Sequence, residues 1–310
     1  MFLALYIYLE HASRKDIIKL GTNLWPGYEL LYLAREKGYL PEDVKLVEYN
    51  TTSEVIRAYR NGVINALALT LDEALRLLEE GYQVKVVLIF DISNGADVVI
   101  AQDYIKDAKE LKGKSIGVEN TALGAYMLTR FLETHGLNEN DVKIVPLELQ
   151  EHYRAFAEGR VDAVITFEPE KSKILKEGGR VIFSSKDIPG EVMDVLVVDE
   201  KVAKDRALLK KLLVAYFKAY RYFMLNREEA YRIMANREGI STKELKRVME
   251  ELMIPNHEEN LKMFSSGLFT KNLERICFIM KEKGMLSKRT DCLKIFDENL
   301  LKEVLANAGA

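Results

Sequence analysis

Cysteine and histidine are scarce in this chain, two of one and four of the other in 310 residues. No Cys-x-x-Cys pair, His-Glu-x-x-His helix or Gly-rich phosphate loop is present, which removes the common signatures of zinc, redox and nucleotide chemistry. His11, His135, His152 and His257 are scattered over turns and helix ends, and none stands beside a Ser or Cys nucleophile. His135 and His152 are expected in solvent. The reading is therefore of a protein with no catalytic residue, no metal and no cofactor. Cys277 and Cys292 both fall in the C-terminal region. A disulfide between them is open to test, but spacing does not define bridge geometry, and two buried free thiols are the expectation.

An excess of one charge is also lacking. Lys and Arg number 45 against 48 Asp and Glu, a net charge of −3, without the basic stripe that nucleic-acid binding requires. No run reaches the roughly 18 apolar residues of a membrane-spanning helix. The hydrophobic share of 48% is ample for the cores of two domains or one large one. Residues 1–15 read as an export leader, with the apolar stretch Phe2 to Leu9 before His11-Ala-Ser13, although no Lys or Arg precedes it. The alternative is an amphipathic segment packed on the first lobe.

What is present is a repeated phrase. Gly38-Tyr-Leu-Pro-Glu-Asp-Val-Lys-Leu-Val47 returns as Gly136-Leu-Asn-Glu-Asn-Asp-Val-Lys-Ile-Val145. Further on, Tyr59-Arg-Asn-Gly-Val-Ile-Asn-Ala-Leu-Ala-Leu69 returns as Phe156-Ala-Glu-Gly-Arg-Val-Asp-Ala-Val-Ile-Thr166. The copies lie about 98 residues apart, too long a period and too few copies for a solenoid. Each phrase sits within a strand-helix-strand-helix-strand pattern, so the chain reads as α/β with two similar lobes facing a cleft. Val84 to Phe90 is a continuous apolar run, as in a strand covered on both faces. From Val202 onward the apolar spacing is helical throughout. The expected domains are residues 16–101 with 195–310 as lobe 1, its C-terminal helices packed on it, and residues 102–194 as lobe 2. Strands near Val99 and Val195 would cross between them as a two-stranded hinge.

Several phrases in order resemble one family. Gly21-Thr-Asn-Leu-Trp-Pro-Gly-Tyr28 with Ala34-x-x-x-Gly38-Tyr39 is similar to the opening of solute-binding proteins for nitrate, sulfonates, taurine and thiamine pyrimidines. Asp91-Ile-Ser-Asn-Gly-Ala-Asp97, Leu111-Lys-Gly-Lys-Ser-Ile-Gly117, Gly159-Arg-Val-Asp-Ala163 and Phe167-Glu-Pro169 follow in the family's order, over roughly Asp16 to Leu305. The resemblance implies the type II periplasmic-binding-protein fold, with two crossover hinge strands. It also implies a periplasmic or extracytoplasmic monomer that hands a small-molecule ligand to the membrane subunits of an ABC importer. Enzymes share this fold, among them chorismate-type dehydratases and thiamine-pyrimidine synthases. The cysteine-rich motif of the latter is missing here. A ligand-sensing receptor domain is a third reading.

Ligands of open α/β sheets bind beyond the carboxyl ends of strands. That rule picks out Asn23, Trp25 and Tyr28 after the first strand, Thr51 after the second, and Thr70 and Asp72 after the third. It adds Ser93, Asn94 and Asp97 at the lobe junction, Glu119, Asn120 and Thr121 in the second lobe, and Glu168 and Asp194 further on. Trp25, the only tryptophan, either stacks on a planar or cationic ligand or wedges its turn. Thr51 and Thr121 are good helix caps, and the N–H groups beside them also suit an anion. Four acids, Asp97, Glu119, Glu168 and Asp194, make the cleft too acidic for a simple anion. Their expected ligand carries an amine or aminopyrimidine group, with a taurine-like zwitterion as the runner-up.

Overall fold

A computed structural model describes residues 17–306 and 308. The expected leader, residues 1–15, lies outside the described residues. The chain forms two sheets with helices on their faces. Among the described residues, sheet 1 has six strands and sheet 2 has five.

In lobe 1, β1 (Ile18–Thr22) leads through a tight turn at Pro26–Tyr28 into α1 (Glu29–Glu36), then β2 (Val44–Glu48) and α2 (Thr52–Arg60). There follow β3 (Ala66–Thr70), α3 (Leu71–Glu79) and β4 (Val84–Ser93). Lobe 2 contains β5 (Val98–Ala101), β6 (Ser115–Val118), α4 (Ala122–Thr134), β7 (Lys143–Pro146) and α5 (His152–Ala157). It closes with β8 (Ala163–Thr166), α6 (Glu170–Lys176) and β9 (Arg180–Ser184), before β10 (Met193–Asp199) returns to sheet 1. The repeated phrases occupy matching places. β1 pairs in parallel with β2 and β3, and β6 does the same with β7 and β8. Gly38 and Gly136 each end a helix at positive φ, 67° and 68°, which a residue without a Cβ adopts without strain.

The lobes exchange one strand. In sheet 1 the fourth strand from the β2 edge is β10, which arrives from beyond lobe 2. In sheet 2 the fourth from the β7 edge is β5, which arrives from lobe 1. Both run antiparallel to their neighbours. This corrects the expected hinge. Val99 pairs with Ile165 and Phe183 in sheet 2, whereas Val195 pairs with Leu69 and Ile89 in sheet 1, so the two do not form one ribbon. The chain changes sheets between Ser93 and Val98 and again between Ser184 and Met193, and lobe 2 starts at Val98 rather than residue 102. An apolar tetrapeptide such as Val98 to Ala101 fits either sheet; the break at Ser93-Asn-Gly95 marks the crossing. Ser93 and Ser185 join the two crossings through their hydroxyls, 2.8 Å apart.

The remainder is helical: α7 (Glu200–Lys204), α8 (Arg206–Leu225), α9 (Arg227–Glu238), α10 (Thr242–Met249), α11 (His257–Ser265), α12 (Leu268–Glu282) and α13 (Glu298–Leu305). One short strand, β11 (Leu252–Met253), departs from the helical expectation by pairing with Ile92 and Ser93 at the sheet edge. Helix α8 packs on α1 and α13, which keeps the C-terminal region against lobe 1. The cysteines also depart from expectation. Cys277 on α12 and Cys292 form a disulfide, with Cα atoms 6.3 Å apart. The turn at Gly284, φ 70°, reverses the chain and brings the second cysteine back beside the first.

Candidate functional site

Sheet 1 presents a row of polar side chains to the other lobe. In the antiparallel register Asp194 of β10 stands opposite Thr70 of β3 on one side and Asp91 of β4 on the other. All three are buried, and the two acids have adjacent charges that oppose ionisation of both. The turn after β1 covers them. Trp25 Nε1 donates to Asp91 Oδ2 at 3.1 Å, and the Tyr28 hydroxyl donates to Asp194. Gly27 lets this turn press down: a Cβ there would lie 1.8 Å from Asp91 Oδ2.

Between the lobes is a small inner cavity of about 20 Å³, lined from lobe 1 by Asn23, Trp25, Tyr28, Thr70, Glu73 and Asp194, among others. Asp97 at the crossing, with Leu123 and Phe167 of lobe 2, completes it. Trp25 and Phe167 meet edge to face across the cleft, their centroids 5.6 Å apart. An outer cavity of about 400 Å³ lies beside the inner one and shares Glu73 with it.

The acids are held in their neutral direction. Burial pushes Asp91 up to about 8, against the hydrogen bond from Trp25. It pushes Asp97 up to about 6, against the Ser93 hydroxyl and Lys171, and Asp72 up to about 7. Burial, then Glu148 and Asp97, lift Glu119 to about 7. Glu73 and Asp194 are raised well above the carboxylate range, first by burial and then by Asp72 and Asp91 respectively. Buried oxygens on Asp72, Asp91, Asp97 and Thr70 have no hydrogen-bond partner. Unpaired buried acceptors are expensive, and several in one place call for a donor. Among the described residues, the walls of the inner cavity include no Lys or Arg.

Of the residues expected from sequence, Asn23, Trp25, Tyr28, Thr70, Asp97 and Asp194 line the inner cavity, and Asn120 and Thr121 line the outer one. Asp72 is buried, with Asp97 among the charges acting on it. Thr51 is buried as the cap of α2, accepting from Glu54 N at 3.2 Å, while Ser93 is consumed by the crossing. Two expectations fail on geometry. Asn94 is exposed. Glu168 is turned away to Ser172, whose hydroxyl donates at 2.8 Å, and toward Arg247 at 3.6 Å. Of the four acids expected in the cleft, Asp97 and Asp194 line the inner cavity, Glu119 lines neither cavity and Glu168 turns away, while Glu73 borders both cavities and Asp91 lies buried beneath Trp25. Asp91 directly follows the apolar run Val86 to Phe90 inside β4, where no strand end marks it, and Glu73 was hidden by its ordinary capping role. Phe167 follows a strand end as the rule requires, but its charged neighbour drew the choice. His152 also departs from expectation: it is fully buried, contacts Thr166 at 3.0 Å, and is lowered to about 4 by burial.

A family model described as NMT1/THI5 like matches residues 25–230. An Escherichia coli (strain K12) protein named for binding aliphatic sulfonates is 23% identical over 224 residues, covering 71% of this chain and 69% of that protein. The alkanesulfonate-binding protein SsuA from Xanthomonas axonopodis pv. citri, solved bound to MOPS, superposes with a TM-score of 0.75 at 15% identity. That match covers 92% of this chain and 99% of SsuA. The desulfurization enzyme DszB has the same fold, with a TM-score of 0.68 at 17% identity over 94% of this chain and 99% of DszB. At these identities the likenesses establish the type II periplasmic-binding-protein fold, which carries both binding and enzymatic members.

Proposed function

The chain belongs to the NMT1/THI5-like family, and from that premise we propose that it is a solute-binding protein whose lobes close on a small amine-bearing cation. The observation that carries this reading is the set of unpaired buried carboxyl oxygens beside an interlobe cavity whose described walls hold no basic residue. A protonated nitrogen supplies donors to those oxygens and charge to their carboxylates. The aromatic faces of Trp25, Tyr28 and Phe167 add attraction for a cation once water is excluded. A sulfonate or nitrate would meet Glu73, Asp97 and Asp194 there with no Lys or Arg to offset them, so the runner-up zwitterion would have to keep its anionic end outside the inner cavity.

Delivery to an ABC importer from a periplasmic or other extracytoplasmic location completes the proposal. The Cys277–Cys292 disulfide supports an oxidising compartment. The mechanism is a shift of population: the ligand touches both lobes only when they are closed and thereby favours that state. Trp25 provides the assay, because the sole tryptophan walls the cavity and its emission should respond to occupancy. Native mass spectrometry of freshly purified protein should find a bound amine. Binding restricted to nitrate or simple alkyl sulfonates would overturn the reading. Recovery of the ligand unchanged after long incubation distinguishes capture from an enzyme on this fold.

A further inference from the structure

The two cavities differ in size by a factor that selects the kind of amine. The inner one, about 20 Å³, has room on the order of one water molecule. An ammonium head is of that size; a ring or a trialkylated nitrogen is not. The outer one, about 400 Å³, falls within the range of pockets that enclose a whole small molecule. They adjoin. Glu73 borders both, Thr52 of the inner wall adjoins Ser53 of the outer, and Leu123 of the inner wall adjoins Ala122 of the outer. Both cavities therefore run between the starts of α2 and α4, and the outer one extends to Met285.

The geometry points to a divided ligand: a primary ammonium head in the inner chamber and an elongated body in the outer one. This rests on the amine-binding reading and narrows it to primary amines with a body. The unpartnered oxygens of Asp97 and Thr70, both buried on the inner wall, accept from the head. A primary ammonium has three donors to share among them and Asp194, which a tertiary amine, with one, lacks. The body passes Glu73 and lies against Ile56, Ala125 and Met285, with Asn120, Arg60 and Arg76 as polar partners on the same walls. Closing the lobes buries the head completely and leaves the body at the mouth.

The test uses the full chain, its tryptophan emission, and three probes: tyramine, N,N-dimethyltyramine and methylamine. Two variants separate the chambers. Ala125→Phe adds a ring to an exposed helix position that faces the outer cavity, and Asp97→Asn removes charge from the inner one. Tyramine should bind at least tenfold more tightly than its dimethyl counterpart. Ala125→Phe should weaken tyramine at least tenfold and leave methylamine within twofold, whereas Asp97→Asn should weaken both. If Asp97→Asn weakens both while Ala125→Phe changes neither, the divided ligand is overturned and the amine reading stands. Equal binding of the primary and tertiary amines likewise overturns the head assignment alone. If none of the three amines binds the wild-type chain, the amine reading falls and the division with it. Circular dichroism of each variant separates lost binding from lost folding.

Discussion

The two lobes share a strand plan but not a chemistry. After β3, lobe 1 places Thr70, Asp72 and Glu73 at the start of a helix; after β8, lobe 2 places Phe167 and a Glu168 that faces away from the cavity. After β1, lobe 1 offers Trp25 and Tyr28, each bonded to a buried acid. At the matching turn lobe 2 offers Glu119 and the capping residue Thr121. Lobe 1 thus forms an acidic floor, and lobe 2 contributes mainly an apolar lid of Leu123 and Phe167. A duplicated framework can keep its packing positions and specialise the ends of its strands, because those ends are held by neither sheet.

Charge removal from the floor should produce the largest effect. Asp194→Asn keeps an oxygen for the Tyr28 hydroxyl but removes the carboxylate, and should weaken binding of an amine by about 3 kcal/mol, more than 100-fold. Phe167→Ala on the lid should cost about 1 kcal/mol, about fivefold. Titration of both variants by tryptophan emission checks the contrast; equal losses would erase the division between floor and lid. Asp194→Asn should at the same time raise the melting temperature of the ligand-free protein, since it removes a like-charge neighbour of Asp91. A binding residue that destabilises its own fold is distinguished in this way from a structural one.

Reduction of the Cys277–Cys292 disulfide comes next. It closes a 15-residue separation in the C-terminal half, so its loss should lower stability by about 3 kcal/mol. Denaturant unfolding with and without reductant measures this. Because lobe 2 contains no cysteine, the prediction sharpens into a local one: hydrogen exchange should rise on α12 and not on α4.

Much of this contrast was legible before any coordinates. Parallel units advertise themselves through helix spacing, strand runs and Gly stops, so the two-lobe α/β plan could be read from the phrases that repeat at Gly38 and Gly136. The end-of-strand rule picks Asn23 and Tyr28, which line the inner cavity because strand direction fixes where a following residue emerges; Asp194, by contrast, stands at the start of β10. Side-chain direction after the strand is another matter. Glu168 and Phe167 are neighbours, and only the packing of α6 against α10 decides which one reaches the cavity. Asp91 lay inside β4, where a period-two pattern says nothing about an acid with both faces covered. The disulfide depended on how the Gly284 turn folds back, a long-range geometry that spacing does not encode.

The acidic floor also predicts an inverted pH dependence. Its carboxyls titrate higher in the folded chain than in the unfolded one, Asp91 near 8 against an ordinary 3.8. Between about pH 4 and pH 8 the folded state therefore binds more protons, and stability falls as pH rises, by about 1.4 kcal/mol per pH unit for each proton retained. His152, lowered to about 4, opposes this between about pH 4 and 6.5, but as one group against several. The ligand-free melting temperature should rise on going from pH 8 to pH 6, and the Asp91→Asn and Asp194→Asn variants should flatten that slope. A wild-type melting temperature that falls over this range would break the assignment of the raised carboxyls to the floor.

The smallest effect expected lies in what holds lid to floor. The C-terminal helices reach across the cleft on two flanks. On one, Arg275 of α12 pairs with Glu191 at 2.5 Å and Lys283 pairs with Glu133 of α4. On the other, Lys176 of α6 pairs with Glu244 of α10 at 2.7 Å. Glu191 is buried and also accepts from Tyr126 and Arg130 of lobe 2, so it anchors the return crossing itself. The Lys283 and Lys176 pairs are half-exposed, and each should be worth no more than about 0.5 kcal/mol. Lys176→Ala with Lys283→Ala should then raise the ligand dissociation constant about threefold to fivefold, chiefly through faster release, and the effect should shrink in high salt. Such a result leaves closure in the hands of the ligand, because a latch this weak moves the lobe equilibrium by less than the floor does. A loss beyond thirtyfold would assign closure to the flanking ion pairs and would make the acids of the floor secondary to them.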